Sequence, residues 1–155
     1  MFRHILVPID SSKFSEKAAK CALKLAKSLG AKVTAVHVIP KFHAFTCRAQ
    51  LMLSYHATLT DDSPAGYKAA TRIGAGKLLH VVTRAAEAAG VKCDTLELDG
   101  DQPFAAIVDA AKKKRCDLIV MASHGRSGVS AVLLGSETQK VLAHSAVPVL
   151  VVREP

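Results

Sequence analysis

Five short apolar segments alternate along this chain with longer segments of helical periodicity. The apolar segments fall at residues 4–9, 32–39, 92–98, 117–122 and 147–152, and the helical ones at 12–29, 72–89, 103–115 and 136–145. Strands that are apolar on both faces need a covering layer on each face, and helices between consecutive strands supply both layers. The order of segments therefore predicts an α/β fold, an open five-stranded parallel sheet with helices on both faces.

The length and composition indicate one domain spanning residues 1–155. Half of the residues are hydrophobic and 22% are charged, which excludes a disordered chain, and the apolar runs are too short to span a bilayer. The apolar run after His4 ends at Asp10, which is too short for a secretory signal. We therefore expect a cytoplasmic protein with no membrane contact.

The net charge of +8 raises the question of nucleic-acid binding. Five lysines recur at spacings of three and four on the first helical segment, namely Lys13, Lys17, Lys20, Lys24 and Lys27. Such a stripe is typical of a solvated helix face. The chain has two tyrosines and no tryptophan, so it lacks a stacking platform for bases. We therefore expect no nucleic-acid partner.

Two of the predicted strands have the composition of sheet edges. The third, at 92–98, mixes polar and apolar residues, and the fifth, at 147–152, carries Pro148 near its start. The fifth strand has no charge before Arg153, and an uncharged apolar edge favours pairing with another chain. We therefore expect a homodimer that pairs through residues 147–152.

The least regular part of the chain lies at 41–70, and long connections of this kind are often functional or mobile. A short surface helix is the favoured interpretation of this insertion, and a lid over a ligand is the alternative. Gly74 and Gly76 in the next helical segment superficially resemble a phosphate loop, but Leu78 replaces the required Ser or Thr. We interpret both glycines as residues that weaken a helix.

A ligand site is indicated where the fourth strand ends. The loop that follows is rich in small residues, namely Ser123, Gly125, Ser127, Gly128 and Ser130. Small residues let main-chain amides approach a ligand, and the free N–H groups at the helix start near Gly135 attract anions. Ser136 and Gln139 also fit a capping box for that helix. The segment predicts an anion site, with phosphate as the favoured ligand.

The strand order decides which loops share a crevice with this site. In open parallel sheets, ligands bind beyond the carboxyl ends of the strands, where the strand order reverses. In the order 3-2-1-4-5 that point lies between the first and fourth strands, so Asp10 would face the glycine segment. In the order 2-1-3-4-5 the first loop would instead lie beside Asp99 and Asp101. The periodicity does not distinguish the two orders.

Four segments together resemble the universal stress protein family. They are HILVPIDSS, VHV at the end of the second strand, DLIVMASHGRSGVSAVLLGSETQKVL, and the terminal VPVLVV. The resemblance covers nearly the whole chain apart from 41–70. Nucleotide-binding members carry G-x-x-G, nine residues and then G-[ST]. This sequence matches at Gly125 and at Gly135 with Ser136, and it departs at Ala122, where the first glycine is usual.

The resemblance implies the order 3-2-1-4-5, a Rossmann-like arrangement with ATP in the crevice, with or without Mg²⁺, and a homodimer through the last strand. Asp10 would accept hydrogen bonds from ribose or adenine-side groups, and the Val38 main chain would bind the adenine edge. The residues implied at the phosphates are Gly125, Gly128, Gly135, Ser136 and Arg126, and those lining the floor are Met121 and Ala122. The candidate set also includes Pro8, Ile9, His124, Glu137 and Thr138, with a structural role favoured for His124.

Alternatives remain for several roles and for the function. Asp10 and Ser136 could each cap a helix instead, and Arg126 could be solvated. The favoured function is an ATP-binding stress or regulatory module whose nucleotide biases dimerisation or partner contacts. The departure at Ala122 motivates a nucleotide-free dimeric interaction module instead. A slow ATPase, with a metal held by Asp10 or by a carboxylate at 99 or 101, is a third function, although the sequence has no Walker lysine.

Overall fold

The structure is a computed structural model of the 155-residue chain and describes residues 1–124 and 134–153. The described residues contain one sheet of five parallel strands. The strands are β1 (His4–Pro8), β2 (Lys32–Ile39), β3 (Cys93–Asp99), β4 (Leu118–Ala122) and β5 (Val149–Val152). Their order is β3-β2-β1-β4-β5, so the predicted parallel sheet is confirmed and β1 lies beside β4. Both strands predicted to be edges, β3 and β5, are edges.

Helices connect the strands, and several of their ends follow the signals in the sequence. The helices are α1 (Lys13–Leu29), α2 (Cys47–Tyr55), α3 (Pro64–Ala89), α4 (Pro103–Lys113) and α5 (Ser136–His144). The Ser12 side chain caps α1 by accepting the Ser15 N–H at 3.1 Å, and Gly30 ends α1 with φ of 65°. Within the described parts of the chain, no helix combines the length and hydrophobicity needed to cross a bilayer.

The sheet separates two hydrophobic layers, because alternate strand residues point to opposite faces. Ile5 and Val7 of β1 pack with α1 and α3 on one face, whereas Leu6 packs with α4 and α5 on the other. All three β1 side chains are fully buried. The prediction of helices on both faces is therefore confirmed, and the central strands are fixed between two cores.

The insertion at 41–70 contains more helix than the sequence pattern predicted. The expected short helix is present as α2, but α3 begins at Pro64 rather than at residue 72. The start signal was present, since the Ser63 side chain accepts the Gly66 N–H at 3.0 Å and proline is favourable in the first turn. A small third cluster, including Leu51 and Tyr67, holds α2 against α3.

Gly74 and Gly76 both lie inside α3, but they have different roles. A Cβ atom at Gly74 would lie 2.3 Å from Cδ1 of Tyr55, whereas a Cβ atom at Gly76 would meet nothing within 4 Å. Besides the predicted weakening of the helix, which the structure does not test, Gly74 therefore has a packing role. Its missing side chain lets the Tyr55 ring of α2 rest directly on the α3 backbone.

Candidate functional site

A cavity of about 220 Å³ lies beyond the carboxyl ends of β1, β2 and β4. It occupies the point where the strand order reverses, which is where open parallel sheets bind ligands. The candidate residues that line it are Pro8, Ile9, Asp10, Val38, Met121, Ala122, His124, Gly135, Ser136, Glu137 and Thr138. The other three candidates, Gly125, Arg126 and Gly128, lie outside the described residues. The tertiary structure thus brings together candidates from four separate parts of the sequence.

The Asp10 carboxylate stabilises the loop into α1 with one of its oxygens. Its Oδ1 accepts hydrogen bonds from the Ser12 N–H at 2.9 Å and from the Ser12 hydroxyl at 2.5 Å. The Ser15 hydroxyl donates to the Asp10 carbonyl at 2.8 Å. The side chain that caps α1 is that of Ser12, so Asp10 supports the cap without being it. Among the described residues, Oδ2 of Asp10 has no partner and can accept a hydrogen bond from a ligand.

The main chain of Val38 faces the cavity side of β2. The last β1–β2 pair is Pro8 with Val36, and the Val36 carbonyl accepts the Ile9 N–H at 2.8 Å. Because main-chain groups of alternate strand residues point the same way, the N–H and C=O of Val38 also point toward β1, which has already ended. Within the described chain, neither group is paired with β1. A donor and an acceptor are thus open side by side at the end of the strand.

The start of α5 supplies amide groups, although not the one expected at Gly135. The Gly135 N–H donates to the Ser123 carbonyl at 2.7 Å, so the prediction that this amide holds a phosphate does not fit the structure. The first helical bond runs from Gln139 N–H to the Gly135 carbonyl at 3.0 Å. The N–H groups of residues 136–138 therefore precede the helical ladder and form the positive end of the helix dipole.

The predicted capping box of Ser136 and Gln139 is wrong. The cap position of α5 is Gly135, which leaves Ser136 inside the first turn, and no side chain caps this helix. The Gln139 side-chain amide instead donates to the Leu134 carbonyl at 2.6 Å. Ser136 is therefore not the capping residue of α5, and it lies in the wall of the cavity.

Glu137 and Thr138 hold neighbouring elements in place around the cavity. The Thr138 hydroxyl donates to the Ala122 carbonyl at 2.9 Å, which ties α5 to the end of β4. The Glu137 carboxylate accepts the Phe104 N–H at 2.8 Å and the Lys140 ammonium at 3.1 Å. No side chain from the loop before α4 caps that helix. The Glu137 carboxylate, which belongs to α5, therefore binds the free N–H at the start of α4. Glu137 can therefore contribute its main-chain N–H to a ligand while its carboxylate is engaged elsewhere.

The end of β4 forms an apolar wall, and the polar side chains of Ser123 and His124 follow it. Met121 and Ala122 are almost fully buried and line the cavity. Nδ1 of His124 lies 3.1 Å from the Ser123 hydroxyl oxygen, and the ring packs against Phe14. Nε2 of His124 is buried and has no hydrogen-bond partner among the described residues.

His37 is one of the cavity residues that the sequence pattern missed, together with Ser15, Val36, Pro103 and Ile107. Its ring is buried in the cavity wall, with Nδ1 at 2.7 Å from the Ile9 carbonyl oxygen and Nε2 at 2.9 Å from the Tyr55 hydroxyl. A signal existed, because a histidine between two valines of a buried strand needs polar partners. The partners themselves could not be foreseen, since Ile9 and Tyr55 are distant in sequence.

Asp99 and Asp101 line a different cavity from Asp10. Asp99 is the last residue of β3 and Asp101 follows it, and β2 separates this strand from β1. Asp99 pairs with Arg72 at 2.7 Å, and the hydrogen bond from His43 lowers the pKa of Asp101. The structure therefore does not bring either carboxylate to Asp10. Across the described residues, no three His, Cys, Asp or Glu side chains converge as a metal site would require.

Comparison with known proteins agrees with this architecture. The family model described as the universal stress protein family matches residues 1–153. Universal stress protein MJ0531 of Methanocaldococcus jannaschii is 34% identical over 155 residues, which cover 100% of this chain and 84% of the relative. The solved structure of MJ0577 from the same organism has a TM-score of 0.79 at 26% identity and covers 100% of this chain and 98% of its own.

A more distant likeness concerns a protein solved with a ligand. A universal stress protein family protein from Arabidopsis thaliana, solved with AMP bound, has a TM-score of 0.67 at 18% identity. The match covers 99% of this chain and 92% of that protein, and at this identity it supports the fold alone. With the family match over nearly the whole sequence and the shared strand order, the chain belongs to the universal stress protein family.

Proposed function

We propose that the protein binds ATP, with or without Mg²⁺, and acts as a dimeric, nucleotide-responsive stress or regulatory module. One observation carries the proposal. A single cavity is lined by Asp10, by Val38, whose main chain has no partner on β1 in the described part of the chain, and by the amino end of α5. These groups are complementary to a ribose, a base edge and a phosphate.

Each of the three groups matches one part of an adenine nucleotide. Oδ2 of Asp10 can accept a ribose hydroxyl, because Oδ1 already binds Ser12. The Val38 N–H and C=O can bind the adenine edge, which has a ring-nitrogen acceptor next to an amino donor. The amides that begin α5 can bind a phosphate oxygen. A universal stress protein family protein from Arabidopsis thaliana was solved with AMP bound, so an adenine nucleotide is the ligand class to test first.

A nucleotide-free interaction module is the second candidate, and Ala122 favours it. This residue lines the cavity beside Thr138, where its methyl group takes space that glycine would leave open. A slow ATPase has less support, because Asp99 and Asp101 line another cavity. Any Mg²⁺ would be bound largely by the phosphates and water, as this ion keeps much of its hydration shell.

Isothermal titration with ATP tests the proposal, and Asp10→Asn is the informative variant. Asparagine keeps one oxygen for the Ser12 bonds and replaces the open oxygen with an amino group that cannot accept a hydroxyl. We expect saturable binding by the unmodified protein and affinity about tenfold weaker in the variant, as for one hydrogen bond to a charged group.

The matched control is Asp109→Asn, because Asp109 pairs with Lys113 on the outer face of α4 and does not line the cavity. We expect this control to bind ATP like the unmodified protein. Absence of heat from the unmodified protein with ATP and AMP at about millimolar concentration would instead favour the nucleotide-free module.

A further inference from the structure

We propose that His37 is a positioning residue of this site, which engages the Ile9 carbonyl and so keeps the Val38 N–H available to a ligand. Its effect on affinity rests on the proposed nucleotide binding. Its effect on the Val38 amide does not, and it can be measured in the protein alone.

The first step concerns a hydrogen bond that the sheet would ordinarily form. In a parallel ladder, the bond after Ile9 N–H to Val36 C=O would be Val38 N–H to Ile9 C=O. The pairing instead stops at Pro8 with Val36, and the described chain supplies no acceptor for the Val38 N–H. The Ile9 carbonyl accepts the His37 ring at 2.7 Å in place of that amide.

The second step concerns the cost of this arrangement. A main-chain N–H beside a buried strand is nearly always paired, because an unpaired one loses its hydrogen bonds to water. Val38 lines the cavity, and its N–H has no hydrogen-bond acceptor among residues 1–124 and 134–153. The Val38 N–H is an open donor beside the Ile9 carbonyl, which already has a partner. Such an arrangement is expected where a bound ligand supplies the acceptor for the N–H.

The third step identifies what holds the His37 ring. A carbonyl oxygen only accepts, so Nδ1 of His37 carries the hydrogen in this contact. In the neutral ring Nε2 is then an acceptor, and the Tyr55 hydroxyl lies 2.9 Å away and can donate to it. The Tyr55 ring rests on Gly74 of α3. The insertion helix α2 therefore fixes the tautomer and orientation of a residue in the cavity wall.

Amide hydrogen exchange at Val38, followed by NMR without nucleotide, gives the direct test. In His37→Leu, the Ile9 carbonyl loses the ring, and we expect Val38 N–H to bond to it. Exchange at Val38 should then slow by about tenfold or more, and ATP affinity should fall about tenfold. His37→Asn keeps a short N–H donor near the Nδ1 position, and we expect it to retain the fast exchange and the affinity.

The outcomes separate this inference from the proposed function. Failure of the unmodified protein to bind ATP would overturn the function, while exchange at Val38 would still decide the role of His37. Equal exchange and equal ATP affinity in His37→Leu and the unmodified protein would overturn the inference and leave the function standing.

A second variant keeps the test decisive if His37→Leu does not fold. Tyr55→Phe removes the hydroxyl near Nε2, and we expect the ¹⁵N shifts of His37 to report a mixed tautomer, with slower exchange at Val38. Tyr67→Phe is the control, since its hydroxyl donates to the Pro40 carbonyl and to the Gln50 side-chain oxygen. Unchanged His37 shifts and unchanged Val38 exchange in Tyr55→Phe would overturn the inference.

Discussion

Gly74 is a residue at which an absent side chain determines how two helices pack. Tyr55 occupies the space that any larger residue would fill, and the hydroxyl of the same tyrosine approaches His37 in the cavity wall. A change at Gly74 therefore acts on the packing of α2 and, through Tyr55, on the site. Gly76 lies in the same helix with open space around it, which makes it a natural comparison.

We predict opposite effects of alanine at these two glycines. Gly74→Ala should lower the free energy of unfolding by about 1–3 kcal/mol, because the methyl group must displace the Tyr55 ring. Gly76→Ala should raise it by about 0.5–1 kcal/mol, since alanine is the better helix former at an open position. Urea denaturation followed by circular dichroism measures both. Equal destabilisation by both changes would contradict the packing role.

His4 is a second residue whose surroundings have a measurable consequence. Its ring is buried at the start of β1, with Nε2 at 2.7 Å from the Thr34 hydroxyl oxygen. Burial, and then the positive charge of Lys32, lower the pKa of His4 below its ordinary value of 6.5. The unfolded chain therefore binds a proton at this residue more readily than the folded protein does.

We predict that His4 makes the folded protein less stable in mild acid. Its contribution should be constant above the ordinary pKa of 6.5 and should be lost progressively as pH falls below it, because protonation then favours the unfolded state. Urea denaturation at about pH 7.5 and about pH 5.5 measures the difference, which should shrink in His4→Gln. His80→Gln, at an exposed position on α3, is the control. An unchanged pH dependence in His4→Gln would contradict this assignment.

At the scale of elements, the start of α5 performs two tasks with adjacent groups. Its first residues line the cavity, whereas the Glu137 carboxylate accepts the Phe104 N–H at the start of α4. A carboxylate in this position stabilises both helix starts but repels an anionic ligand. The Glu137 side chain thus connects the starts of α4 and α5, and it contributes more directly to stability than to ligand binding.

We predict that Glu137→Gln strengthens ATP binding in the absence of divalent metal. Glutamine keeps an oxygen for the Phe104 N–H and removes the negative charge, so affinity at low salt should rise by about threefold. Glu16→Gln, in the first turn of α1 and outside the cavity, should leave affinity unchanged. Titration with and without Mg²⁺ measures the effect. Weaker binding in Glu137→Gln with Mg²⁺ alone would indicate that the carboxylate helps to hold the metal.

At the scale of the whole molecule, the sheet ends in an apolar edge. The four residues of β5 carry only valine and leucine side chains, and Leu150 is 40% exposed. The other edge, β3, carries charged residues, among them Glu97 and Asp99, which pair with Arg72. Charges of this kind discourage pairing between sheet edges, and their lack at β5 favours a second copy as the partner.

We predict a homodimer that depends on Leu150. Leu150→Lys should raise the dimer dissociation constant by about a hundredfold, because the ammonium group would be buried without a partner. Leu53→Lys on α2, where leucine is 67% exposed, should leave the dimer intact. Sedimentation velocity at micromolar concentration compares them. A monomeric unmodified protein would contradict the prediction, as would a dimer that Leu150→Lys leaves unchanged.

The sequence by itself determined the local elements of this protein. The strand segments and most of the helix segments depend on periodicity and on residues a few positions apart. Such signals act within one segment, so they can be recognised without the fold. The late prediction of α3 is the exception, because the start signal at Ser63 and Pro64 precedes a weakly periodic stretch.

Only the tertiary structure decided which strands pair and which hydrogen-bonding groups of different elements become partners. The periodicity allowed two strand orders, and the choice between them depends on pairing between segments that are distant in sequence. The same is true of the Gly135 amide, which bonds to Ser123, and of His37, which lies between Ile9 and Tyr55. Each main-chain group has a limited bonding capacity, and which partner fills it depends on where the fold places the competing donors and acceptors.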